Sequence, residues 1–318
     1  MSKIRAVVVD PNVSGRLVLR DVDAPTPAAN EAVIRVAAIS LNRGEIRRST
    51  TAEAGWRPGW DLAGVVETPA TDGSGPAAGT RVVGLLRAGA WGELVSVPTH
   101  SLAQLPPSVS FTQAATLPVA GLTAYHALLK GGSILGGSVL ITGASGGVGY
   151  FAIQLARLSG AKVVAHIRRP EYESFVKNAG AHSVIIGENI SPNDESAPYD
   201  LIVESVGGNT LGTALSLLAQ NGTVVLFGTS GENEVTFNAQ RFYGTGGASL
   251  YGLILFHELQ RESAAVGLQR LLRLVEADQL RPHIDVEAEW TQIADVAQKL
   301  LDRTYPGKAV LNISNEKW

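Results

Sequence analysis

The chain has 318 residues, 45% hydrophobic and 17% charged, with 26 basic against 29 acidic side chains. That length exceeds one ordinary core, so two domains are expected, and a net charge of −3 offers no global basic field to nucleic acid or anionic lipid. There is no cysteine, which excludes disulfides, thiolate metal sites and a cysteine nucleophile.

The opening "MSKIRAVVVD" reads as a charged start to a strand, without the apolar centre and small-residue cleavage site of a secretory leader. No apolar run is long enough to span a bilayer, so a cytoplasmic protein without membrane or nucleic-acid partners is expected. Up to about residue 110, short β-rich runs ("IRAVVVD", "RLVLRDVD", "EAVIRVAAISLN", "LAGVVET", "TRVVGLL", "GELVSVP") are punctuated by Gly, Pro, Asn and Asp. They predict an irregular β-barrel or sandwich. Glycine, 35 residues in all, promises many tight turns.

The pattern changes at "FTQAATLPVAGLTAYHALLK", helical in spacing but broken by Pro118. From Ser138, apolar runs ("VLIT", "KVVAHI", "SVIIG", "DLIVESV", "TVVLFG") alternate with amphipathic segments, which predicts a parallel sheet with helices on both sides. Val148, Phe151, Ala152, Leu155 and Leu158 define one face of the first of these helices. "ASLYGLILF" reads as a sixth strand running into a helix. Two further helices and two strands, ending in "GKAVLNI", close the sequence, and the last part of them returns to the first domain. The expected domains are thus 1–115 with 275–318, and 116–274.

Between the strand "VLIT" and its helix lies "ITGASGGVG". Strand, Ala144-x-Gly146-x-x-Gly149, helix is the dinucleotide fingerprint with alanine first. In that reading Ala144 makes the tight turn, Gly146 admits a pyrophosphate, and Gly149 lets helix and strand pack closely. Ser145, Gly147 and Val148 complete the cradle at the helix N-terminus, where free N–H groups favour an anion. The bland alternative is a βα turn with no ligand. The next strand ends "AHIRRPE", where an NAD site usually carries an acid for the ribose hydroxyls. Arg168 and Arg169 suit a 2′-phosphate instead, so NADP(H) is the expected cofactor. The alternative is that both arginines are solvated charges.

Taken end to end, "ISLNRGEIR", "PGWDLAGVV", "LPVAGLTAYHAL", "ITGASGGVG" and "YPGKAVL" resemble motifs of the medium-chain dehydrogenase/reductase superfamily, in its zinc-independent quinone oxidoreductase (zeta-crystallin-like) branch. The resemblance implies an α/β chain, with a GroES-like β-barrel domain and a Rossmann doubly wound parallel-sheet domain. Its zinc-using members place Cys, His and a later Cys or acid where this sequence has Asn42, Trp60 and Val119, so no metal is expected. Without one, reduction of an activated acceptor is easier than oxidation of an alcohol. The implied activity is hydride transfer from NADPH to a quinone or an α,β-unsaturated carbonyl.

The resemblance places Asn42 as a donor to a substrate carbonyl or the nicotinamide ribose, Thr123 beside the nicotinamide, and Tyr125 as a further donor candidate lining the cleft. Asn42 has a turn cap as its alternative, and Tyr125 a place in the core. Asp61 is read as a backbone anchor and Arg47 as a surface charge. The resemblance also brings Gly207, Phe227 and Gly228 near the nicotinamide and ribose, and Lys308 toward a phosphate or the cleft, with a solvated lysine as the alternative. Gly187 and Glu188 stand where relatives often carry an aromatic or basic residue near the adenosine phosphate, and an acid there opposes NADP binding. Other readings are an enoyl reductase of a specialised pathway, and a low-turnover NADPH sensor or RNA-binding protein. A homodimer through the edge strand "ASLYGLILF" is expected as well.

Overall fold

A computed structural model of the chain describes residues 2–313. The chain forms two compact units. The first comprises the sequence up to Leu122 together with that from Leu259 onward, and the second is Thr123–Glu258. The boundaries therefore fall after Leu122 and Glu258 rather than at 115/116 and 274/275. The helix Ala264–Glu276 goes with the first unit because it packs on the β-rich part of the chain around residues 99–104 and 117–121.

In the first unit, β1 (Lys3–Val9) and β2 (Leu17–Asp23) form an antiparallel pair. A larger sheet is built from β3 (Glu31–Ser40), β4 (Asp61–Thr68), β5 (Arg81–Leu85), β6 (Leu94–Pro98) and β7 (Leu102–Gln104). It is completed by β14 (Ile284–Glu289) and β15 (Lys308–Asn312). The order is β14-β15-β3-β4-β5-β7, with β6 also on β3. Thus β15 lies antiparallel to β3, Val310 opposite Ser40, and the end of the sequence closes a sheet begun near its start. Ile34, Ile39, Leu62, Trp91 and Leu311 lie at the centre of its core.

The second unit contains β8 (Ser138–Ile141), β9 (Lys162–Ile167), β10 (Ser183–Ile186), β11 (Tyr199–Glu204), β12 (Leu218–Leu226) and β13 (Ser249–Gly252). All pairs are parallel, in the order β10-β9-β8-β11-β12-β13. By position in the chain this is 3-2-1-4-5-6, the order of a doubly wound dinucleotide fold, which reverses between β8 and β11. After Lys162, every residue of β9 is buried, as a strand covered on both faces requires.

Three local expectations are corrected. Leu158 is 47% exposed and does not share the buried face of its helix; Ile153 and Gln154 are buried instead. The break at Pro118 is not a kink but a change of winding. A helix at Phe111–Ala115 passes through a π-type turn, Leu117–Gly121, into a helix at Leu122–Leu129. Proline has no N–H to give the ladder, and a wide turn absorbs the loss. A seven-residue helix, Arg43–Ser49, also lies within the stretch that the sequence reads as β-rich runs alone.

Candidate active site

The nucleotide turn begins one residue earlier than its fingerprint suggests. Gly143, not Ala144, carries the positive φ of +58°, and a Cβ there would meet Ser205 Oγ at 2.6 Å. Ala144 is fully buried and donates its N–H to His166 O at 3.1 Å. Gly149 behaves as expected: a Cβ would lie 2.6 Å from Ala144 Cα and 2.7 Å from Gly143 O, so only hydrogen lets the helix reach the strand. Gly146 differs. It caps the helix Gly147–Leu158 at φ −81°, is exposed, and an added Cβ would meet nothing nearer than Gly143 O at 3.4 Å. The protein's own packing does not require a glycine there. The first turn behind it has N–H groups without an intrahelical partner, a place suited to an anion such as a pyrophosphate.

The loops after β8 and β11, which flank the reversal of strand order, are stitched together by one buried acid. Glu204 Oε1 accepts from Thr142 Oγ1 at 3.0 Å and Val206 N at 2.7 Å, and Oε2 accepts from Gly207 N at 3.1 Å. Burial raises the Glu204 pKa, although these donors oppose the shift. Gly207 has φ +80°, and a Cβ would sit 2.1 Å from Glu232 O. Its glycine is explained by that backbone contact rather than by a ligand. Phe227 donates its N–H to Glu204 O at 3.0 Å, and Gly228 has only Ser205 within 4 Å of an added Cβ. Ser145, Gly147 and Val148 are half-buried along the turn. Arg168 and Arg169 follow β9, with Arg168 Nε 3.7 Å from Glu188 Oε1. Thr123 is buried, and Tyr125 is half-buried with its ring edge-on to His126 at 5.0 Å.

The first unit holds a buried polar cluster that the sequence hardly announces. Asn42 Nδ2 donates to Asp61 Oδ2 at 2.7 Å and to Glu45 Oε1 at 3.0 Å, while its backbone N–H reaches Glu45 Oε1 at 2.6 Å. Lys308 Nζ donates to Asn42 Oδ1 at 2.7 Å and Leu41 O at 2.8 Å, and lies 3.6 Å from Asp61 Oδ2. Asp61 Oδ1 accepts the Val119 N–H, in the turn that Pro118 widens, at 3.0 Å.

Two expectations are corrected by this geometry. Both amide hydrogens of Asn42 face carboxylates, so its side chain is committed to the cluster and heads the helix Arg43–Ser49. Lys308 is 4% exposed and holds three acceptors of its own unit, so it is neither a phosphate ligand nor a solvated charge. Asp61 does anchor backbone. Burial and the neighbouring Asp61 push the Glu45 carboxyl well above the ordinary range, and its Oε2 has no partner among the described residues. The neutral acid suits that place. Asp61 and Lys308 then form the charged pair, each drawn toward neutrality by burial and held ionised by the other.

The three places that hold metal ligands in zinc-using relatives do not fit a metal. Asn42 is committed as described, Trp60 Nε1 donates to Arg87 O at 3.0 Å, and Val119 carries no donor atom. Among the described residues no group of three or more His, Cys, Asp or Glu side chains is arranged to hold an ion. No helix among them is long and apolar enough to cross a membrane.

Comparison with known proteins agrees with both units. The model of the alcohol dehydrogenase GroES-like domain matches residues 28–107, and that of the zinc-binding dehydrogenase matches 147–271. The quinone oxidoreductase of Lama guanicoe is 31% identical over 307 residues, spanning 92% of this chain and 91% of that protein. The human quinone oxidoreductase is 29% identical over 296 residues, 88% of each. Among solved structures, a mycobacterial protein in complex with NADPH is similar at TM-score 0.86 and 25% identity, over 98% of this chain and 100% of that one. The quinone oxidoreductase of Coxiella burnetii is similar at TM-score 0.82 and 25% identity, over the same shares. With a GroES-like unit, a doubly wound unit with its glycine turn, and relatives matched nearly end to end, this chain is a nicotinamide-dependent oxidoreductase that belongs to the medium-chain dehydrogenase/reductase superfamily, among its quinone oxidoreductases.

Proposed function

We propose that the protein reduces quinones or α,β-unsaturated carbonyls with NADPH and without a metal. The observation that carries the reading is the turn from Gly143 to Gly149: its Gly149 is required by packing, while its Gly146 is left open at a helix N-terminus. Residues 145–148 would hold the pyrophosphate, and Arg168 and Arg169 the 2′-phosphate. The bound cofactor supplies a hydride, which the β-carbon of an enone or a quinone accepts. Charge then gathers on the acceptor's oxygen, where donors stabilise it. With the Asn42 amide committed elsewhere, the hydroxyls of Thr123 and Tyr125 are the candidates for that work. The donor set at Asn42, Trp60 and Val119 supports the metal-free part of the reading.

The test follows NADPH and NADH oxidation side by side, with a simple quinone and a simple enone, in the presence of a chelator. Turnover faster with NADPH and indifferent to the chelator is expected. Loss of activity on chelation would remove the metal-free reading, and NADPH binding without turnover on any acceptor would favour the sensor. We also propose a homodimer in which β13, at the free end of its sheet with Leu250 46% exposed and Ile254, just beyond the strand, 69% exposed, pairs with its copy. A monomeric mass in light scattering down a dilution series would remove it.

A further inference from the structure

The ends of β9 and β10 are joined by contacts that the proposed reaction does not use. Gly187, at φ +149°, donates its N–H to Ile167 O at 3.0 Å. His166 Nε2 donates to Gly187 O at 2.9 Å. The His166 ring is buried, which lowers its pKa, so it stays neutral with its proton on Nε2. Thr210 Oγ1 reaches Glu188 O at 3.4 Å. The backbone thus delivers Glu188 to one place, beside Arg168, although the carboxylate itself is 73% exposed and the guanidinium 40%.

We propose that Glu188 is a specificity-determining residue for the cofactor: it holds Arg168 in the free protein and competes for it with the 2′-phosphate of NADPH. NADH, with a plain 2′-hydroxyl, meets no such competition. Glu188 therefore narrows the selectivity that Arg168 and Arg169 create. The inference rests on the NADPH reading of those two arginines. The chemistry is that of one cation between two anions, of which only one can hold the short contact, while the other also repels the newcomer. Because the pair is exposed and screened, its grip is small and a ligand can displace it.

The experiment is calorimetric titration of the intact protein with NADPH and with NADH at one ionic strength, in the parent, Glu188→Gln, Arg168→Ala and the double variant. Glu188→Gln is expected to tighten NADPH about two- to fivefold and leave NADH unchanged. On the Arg168→Ala background that gain is expected to shrink to the part that comes from direct repulsion between Glu188 and the 2′-phosphate. An unchanged NADPH/NADH ratio, a shift toward NADH, or an equal gain with and without Arg168 would each overturn the proposal. The Arg168→Ala single variant reports separately on the underlying reading, which predicts weaker NADPH binding and unaltered NADH binding. If Arg168→Ala behaves so and Glu188→Gln changes nothing, Glu188 fails alone.

Discussion

The two units handle polar groups near their sites in opposite ways. In the first, Asn42, Asp61 and Lys308 direct nearly all their hydrogen-bonding capacity at one another and at nearby backbone. In the second, the turn after β8 leaves a helix N-terminus bare behind a glycine that nothing in the unit needs. Saturated groups hold a shape, whereas unsaturated ones offer a place to bind. The difference assigns Lys308 and Gly146 different kinds of work, although both lie in segments that resemble family motifs.

The sharpest way to break this comparison is at Lys308. Lys308→Met removes the counter-charge of a fully buried carboxylate, and a loss of about 3–5 kcal/mol in urea unfolding is expected. A Lys308→Met protein of parental stability but weaker NADPH binding would return Lys308 to the cofactor. Next come the two glycines of one turn. Gly149→Ala forces a Cβ against backbone and is expected to cost about 1–3 kcal/mol. Gly146→Ala should stay within about 1 kcal/mol of the parent in the same assay. Its defect should instead appear as a roughly tenfold or greater loss of NADPH affinity, reflecting a backbone that can no longer approach the pyrophosphate. Equal behaviour of the two variants would erase the distinction.

The smallest effect is one of pH. Glu45 has a carboxyl pKa raised on folding, so the unfolded chain binds fewer protons above the ordinary value of 4.5. Its stabilising contribution is complete below that value and is lost as pH rises through the folded pKa. Glu45→Gln keeps a carbonyl for the Asn42 donors and removes the titration. The parent should therefore lose stability relative to Glu45→Gln as pH rises from 4.5, with the two closest in acid. A gap that widens toward low pH would mean that Glu45 is ionised in the folded protein.

The parallel sheet was legible because a strand buried on both faces must be apolar throughout, and "KVVAHI" and "DLIVESV" advertise that. The turn is nearly legible; the fingerprint takes Ala144 as its first small residue, one position after the Gly143 that carries the positive φ. The helix Arg43–Ser49 was not, since three of its seven residues are arginine and Ile46 is its only buried apolar side chain. The buried cluster was hidden by distance. Asn42 meets Glu45 at 3 residues, Asp61 at 19 and Lys308 at 266, and no local pattern links positions so far apart. A faint signal exists: Asp61 and Lys308 are each the first residue of a strand whose next three residues are buried and carry no polar side chain.

The pairing of β15 with β3 also orders events in time. During synthesis, the whole of Thr123–Glu258 emerges before Lys308 does, so all six strands of that unit are available to fold while the first unit is still incomplete. Until β15 arrives, the edge of β3 that receives it stays open and Asp61 has no cation beside it. The first unit thus waits for its final segment, and a nascent chain halted before Lys308 presents a finished nucleotide-binding fold tethered to an unsealed sheet.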